Sequence, residues 1–142
     1  MNKKAEAFKK YLEEKQITCF QWEEIPKDPL NTVAFRSVME IAGQNLPTVI
    51  ILDSSIYAMV RVQVATNVVK GDNEAALHKL LNRLNSQYKI FKYYVAPDNT
   101  LVLDSYILAA EVAEGDMIYT VLRVMIQQLE KEYSNIMQVI WA

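Results

Sequence analysis

The C-terminal segment carries the pattern that most constrains the chain. Ile118, Leu122, Met125, Leu129, Tyr133, Ile136 and Ile140 recur at steps of three or four, the spacing that stacks side chains on one face of an α-helix. Asp116 stands at its head as a candidate cap. Such a stripe is expected to pack on a sheet along most of its length, so the remaining sequence must supply that sheet.

Upstream, alternation replaces the helical period. Val33, Phe35, Met39 and Ile41 fall on one side of an extended segment, with Arg36 and Glu40 on the other. Gly43, Gln44 and Asn45 make a turn, Pro47 to Asp53 is an apolar run, Ser54-Ser55 marks another turn, and Ile56 to Ala65 is a valine-rich strand. Lys89 to Val95 and Leu101 to Leu108 read as two further strands, joined through Asp98-Asn99, a pair suited to a tight hairpin. Two more helices are expected. Asn2 to Gln16 places Ala5, Phe8 and Leu12 on one face, and a helix capped by Asp72 or Asn73 lines up Leu77, Leu80, Leu81, Leu84 and Tyr88. Thr18 to Trp22 is rich in strand formers and reads as a short strand or an extended arm, because Pro26 and Pro29 interrupt the chain just beyond it.

The predicted order is α-β-β-β-α-β-β-α, with a fourth early strand if Thr18 to Trp22 is one. Hairpin-linked strands without β-α-β alternation imply an α+β fold, an antiparallel sheet with helices mainly on one face. At 142 residues, 51% hydrophobic and with 3 Gly and 4 Pro, the chain is expected to form a single domain over residues 1–142.

Charge and composition exclude several functions. Seventeen acidic against fifteen basic residues leave a formal charge of −2, with no basic face for phosphate, so no nucleic-acid partner is expected. No segment approaches the ~18 apolar residues of a spanning helix, and the N-terminus lacks the apolar core of a signal peptide. No membrane association is expected, and the location is read as cytoplasmic. One cysteine and one histidine cannot assemble a common zinc site, and three scattered glycines make no phosphate loop. No metal, no cofactor and no catalytic residue are therefore predicted.

The chemical candidates each have a plainer reading. Cys19, in an apolar and aromatic context, reads as an inert buried thiol. His78 lies a quarter turn from the leucine stripe, beside Asn85, and reads as a boundary side chain with an ordinary hydrogen bond. Gly71 and Gly115 read as helix-entry punctuation. Glu111, Glu114 and Asp116 cluster ahead of a helix, where carboxylates complement the dipole and cap.

Strand parity points to an apolar face. If Ser54-Ser55 is a two-residue loop, Leu52 faces Tyr57, Ile50 faces Met59 and Val49 faces Val60. Ala58, Val60, Val62 and Val64 are the natural core side, since Arg61 and Gln63 alternate with them. Val49 and Ile51 then point inward, while Ile50, Leu52, Tyr57 and Met59 share the outer face as a candidate protein interface. An odd loop length would invert this, and the first helix or the Trp22 arm could instead cover the face.

The segment Ala76 to Leu108, ALHKLLNRLNSQYKIFKYYVAPDNTLVLDSYIL, resembles the YbjN-like family of bacterial proteins classed as sensory transduction regulators. A helix ending in a leucine and asparagine pattern, here Leu81-Asn82 and Leu84-Asn85, precedes a β-hairpin. The element order is also similar to that of type III secretion chaperones, small acidic dimers that hold partly unfolded clients; Thr18 to Trp22 is an addition to that order. The resemblance implies a non-enzymatic, partner-binding role, and in the chaperone case a homodimer. The favoured reading is thus a protein-binding module, chaperone-like or regulatory, acting as a homodimer that holds client segments. The alternative is a sensory or regulatory domain that binds a small ligand between sheet and helices.

Overall fold

The computed structural model describes residues 1–109 and 114–142. Its elements are α1 (Lys3–Glu14), β1 (Gln21–Glu24), β2 (Val33–Ile41), β3 (Gln44–Leu52), β4 (Tyr57–Ala65), α2 (Glu74–Gln87), β5 (Lys92–Val95), β6 (Leu101–Leu108) and α3 (Gly115–Trp141). The six strands form one antiparallel sheet in the order β1-β2-β3-β4-β6-β5. This is the expected α+β fold. It has four strands before α2 because the early segment is a true strand, shifted to Gln21–Glu24 and paired with β2.

The helices lie on one face. Ile118, Leu122, Met125, Leu129, Ile136 and Ile140 of α3 are buried, as their period requires, in the same core as Val33 and Phe35 of β2 and Val60, Val62 and Val64 of β4. On α1, Phe8 packs edge-on against Phe35 with ring centroids 5.0 Å apart. α2 buries Leu77, Leu81 and Leu84. Strand alternation then sends the intervening side chains to an open face that, among the described residues, no helix covers.

The β3–β4 connection departs from the expectation. Leu52 pairs with Ala58, Ile51 with Met59 and Ile50 with Val60, so five residues, Asp53 to Tyr57, separate the paired strands. The odd number inverts the parity. Ile50 and Leu52 are fully buried in the core, not on the outer face, whereas Tyr57 and Met59 do take the open side and Ile51 joins them. The longer loop is held by local and distant groups. The Asp53 carboxylate accepts from the Ser55 amide at 2.9 Å and from its hydroxyl, Ser54 N–H donates to the Leu30 carbonyl at 2.8 Å, and the buried Lys4 ammonium donates to the carbonyls of Ser55 and Tyr57. A tight two-residue turn could not present those carbonyls to α1. Burial pushes the Lys4 pKa down, partly opposed by Asp53.

Other turns follow sequence chemistry more closely. Ala42 and Gly43, at φ +50° and +78°, form a two-residue hairpin one position ahead of the expected turn. Both residues need the left-handed region, which glycine enters without steric cost. Pro47 lies inside β3, and the β3–β4 ladder stops one residue away at Thr48↔Val62, because proline has no N–H to give. Asn99, at φ +65°, closes the β5–β6 hairpin and binds Val69 through both ends of its side-chain amide.

The Leu84-Asn85 pair has a double role. Leu84 is buried in the core, while Asn85 accepts from the Tyr93 amide at 2.7 Å and donates to the Tyr93 carbonyl at 3.1 Å. One side chain thus occupies the outward backbone groups at the centre of edge strand β5, which would otherwise template further strand pairing.

The start of α3 differs from the expected capping. Glu114 occupies the cap position without a side-chain cap bond, and Asp116, in the first turn, accepts from the Tyr11 hydroxyl at 2.9 Å. Gly115 is required by close approach. A Cβ there would lie 2.1 to 2.5 Å from ring atoms of Tyr11. Gly115→Ala should therefore displace Tyr11 and cost about 1–3 kcal/mol by overpacking, despite alanine's better helix propensity. Urea unfolding would check this; a stabilised variant would show that Tyr11 does not pack against the helix entry.

Candidate functional site: the open face of the sheet

The open face is assembled by strand register. Arg36, Val49, Arg61, Asp104 and Lys92 lie side by side across β2, β3, β4, β6 and β5. The next row carries Ala34, Ile51, Met59 and Tyr106, and beyond it Tyr57 pairs with Leu108. Much of this surface is exposed apolar area: Val38 is 58% exposed, Tyr57 50%, Tyr106 46% and Leu108 74%.

A charged hub stiffens its middle. Asp104 is fully buried although it points to the open side, because Arg61 closes over it with bonds of 2.7 and 2.9 Å to its two carboxylate oxygens. The Tyr94 hydroxyl donates to Asp104 at 3.0 Å and accepts from Arg61 at 2.8 Å. The bond to Asp104 pushes the Arg61 pKa up, and burial pushes that of Tyr94 up. Neither group changes charge near neutral pH. The Lys92 ammonium lies 4.7 Å from the Tyr106 ring centroid and 5.5 Å from that of Tyr94, adding cation–π attraction across β5 and β6. Arg36 pairs with Glu23 at 2.9 Å on the far side.

Chemically the face combines aromatic, cationic and aliphatic side chains. Tyrosine, arginine and large aliphatic side chains on a rigid sheet are the groups that dominate protein interfaces. Among the described residues, its ionic side chains balance. Arg36, Arg61 and Lys92 stand against Glu23, Glu40 and Asp104 on the same face.

The residues singled out in the sequence are dispersed. Of the four interface candidates, Tyr57 and Met59 belong to this face; Ile50 and Leu52 do not. Periodicity alone could not reveal Tyr94, Tyr106, Leu108 or the Arg61–Asp104 pair as its other members, although alternation from Ala58 already put Arg61 outward. Cys19 is exposed, contrary to the buried thiol expected, because Phe20 takes the inward position against Phe8 at a centroid distance of 6.2 Å. His78 is exposed, 3.6 Å from Glu74 on the preceding turn, while Asn85 is engaged with β5. Trp22 lies on the helix side with Lys9 4.8 Å above its ring, so it does not cover the open face. Glu111 lies outside the described residues. Among those residues, no helix is long and apolar enough to cross a membrane.

Comparison with known proteins narrows the assignment. No curated protein and no solved structure matches the chain. Residues 35–133 match the family YbjN, described as "Putative bacterial sensory transduction regulator", a description that names a regulator and no reaction. The matched span runs from Phe35 in β2 to Tyr133 in α3, so it contains most of the sheet, the whole of α2 and the Leu84-Asn85 pair that closes the β5 edge. With well over half its length matched, the chain belongs to the YbjN family.

Proposed function

We propose that this chain is a non-enzymatic regulatory module that works by protein binding, that its docking surface is the open sheet face, and that the first occupant of that face is a second copy of the chain. One observation carries the reading: α1, α2 and α3 lie on one side, leaving Val38, Tyr57, Tyr106 and Leu108 exposed on the other. A monomer seldom leaves such a patch in water. The equal number of cations and anions among the described residues of the face removes net repulsion between two identical surfaces, as a two-fold contact requires. Client segments and regulatory partners would be held by the resulting homodimer, as the likeness in element order to secretion chaperones implies.

The test is association of a variant that keeps the fold. Tyr57 and Leu108 are paired across β4 and β6, so Tyr57→Glu with Leu108→Lys puts opposite charges opposite each other and preserves the sheet. Docking would then bury ions inside an apolar contact. Sedimentation velocity should show a dimer for the natural chain and, for the variant, a monomer with unchanged circular dichroism and association weakened by about 100-fold or more. A natural chain that stays monomeric at high micromolar concentration would refute self-association through this face.

A further inference from the structure

A second site lies on the opposite side of the molecule. Between the β2–β3 hairpin, the β4–α2 loop and the last turns of α3 is a cleft of about 590 Å³. Its floor comes from Leu46 and Val64, which alternation turns toward the helices, and its wall from Tyr133, Met137 and Trp141 of α3. The volume lies in the range of small-molecule sites, and the lining mixes apolar side chains with the polar Gln44, Thr66, Asn67, Lys70 and Tyr133.

The rim holds the informative pair. Lys70 has its ammonium 3.1 Å from the Trp141 ring centroid. Among the described residues, no acidic side chain lines the cleft and none lies within ion-pair distance of Lys70. Trp141 is 63% exposed, large for an indole on a helix whose other face is core. A cation without a counter-ion among the described residues, at the mouth of a cleft with an apolar floor, is complementary to an amphipathic anion.

We infer that this cleft binds a small monocarboxylate with an apolar body, the carboxylate pairing with Lys70 and the body lying between Val64, Met137 and Trp141. Gln44, Thr66 and Asn67, which also line the cleft, supply further hydrogen-bonding groups. The inference does not depend on the docking role of the open face, since no residue is shared between the two sites.

The indole reports on occupancy. In a Trp22→Phe background Trp141 is the sole tryptophan, and its emission can be followed while decanoate, 3-phenylpropionate or the uncharged 1-decanol is added. Decanoate or phenylpropionate should produce a saturable change, and whichever binds more tightly identifies an aliphatic or an aromatic body. Decanol should bind about tenfold more weakly or worse, and Lys70→Gln should weaken the carboxylates by a similar factor. Lys70 is exposed, so that variant keeps its fold. Met137→Phe, which narrows the cleft without adding a second indole, should weaken both carboxylates about tenfold or more. Absence of saturation with both carboxylates, or undiminished affinity in either variant, would overturn the assignment.

Discussion

Leu122→Asp should leave the chain unfolded in dilute buffer. Leu122 lies on the buried α3 stripe, 2% exposed, in one core cluster with the inward residues of β2 and β4. An aspartate there loses the leucine's packing and buries a carboxylate with no partner, a combined cost of several kcal/mol. The whole stability of a domain of this kind is about 5–15 kcal/mol. Val124→Asp is the control, because Val124 is 39% exposed on the same helix and a surface change is worth about 0.5 kcal/mol or less. Circular dichroism and urea unfolding check both. If Leu122→Asp were as stable as Val124→Asp, the packing of α3 on the sheet would be wrong.

Arg61→Ala should cost about 1.5–3 kcal/mol, the worth of charge-assisted hydrogen bonds and not of a fully buried pair, because Arg61 is itself 34% exposed and its removal lets water reach Asp104. The penalty comes from the two bonds lost to Asp104, whose carboxylate keeps the Tyr94 hydroxyl as a partner. Asp104→Asn in the same chain should restore a large part of the loss, since an amide is far less costly to bury than a carboxylate. A double-mutant cycle by urea unfolding measures the coupling. Additive losses would mean that the pair does not organise the open face.

Sequence periodicity made α3 readable because its signal runs through a helix of 27 residues and depends on no loop. The alternation of β2 and β4 was readable for a similar reason: Arg36, Arg61 and Gln63 declare the outward side by their cost of burial. The β3–β4 register was not. It depends on whether the loop holds an even or odd number of residues, and that was decided by Lys4 and Leu30, residues far away in sequence that bind the loop backbone. The odd count turned Ile50 and Leu52 into the core and Ile51 out of it, so half of the predicted interface moved inside. The β3 run VIIL gives no internal warning, being apolar at every position. Similarly, Cys19 and Phe20 are both apolar, and only the position of Phe8 decides which one turns inward. The leucine and asparagine pattern was visible as a resemblance, but its physical content, an asparagine amide closing a strand edge, required the fold.

The docking role of the open face is tested most directly by placing a photo-reactive benzoylphenylalanine at Tyr106, 46% exposed on that face, and separately at His78, exposed on α2. Illumination of the purified chain should give a dimer-mass adduct from position 106, with the cross-linked peptide drawn from β3, β4 or β6 of the second copy, and none from position 78. Adducts formed from position 78 alone, or none from either at concentrations where the chain sediments as a dimer, would contradict it.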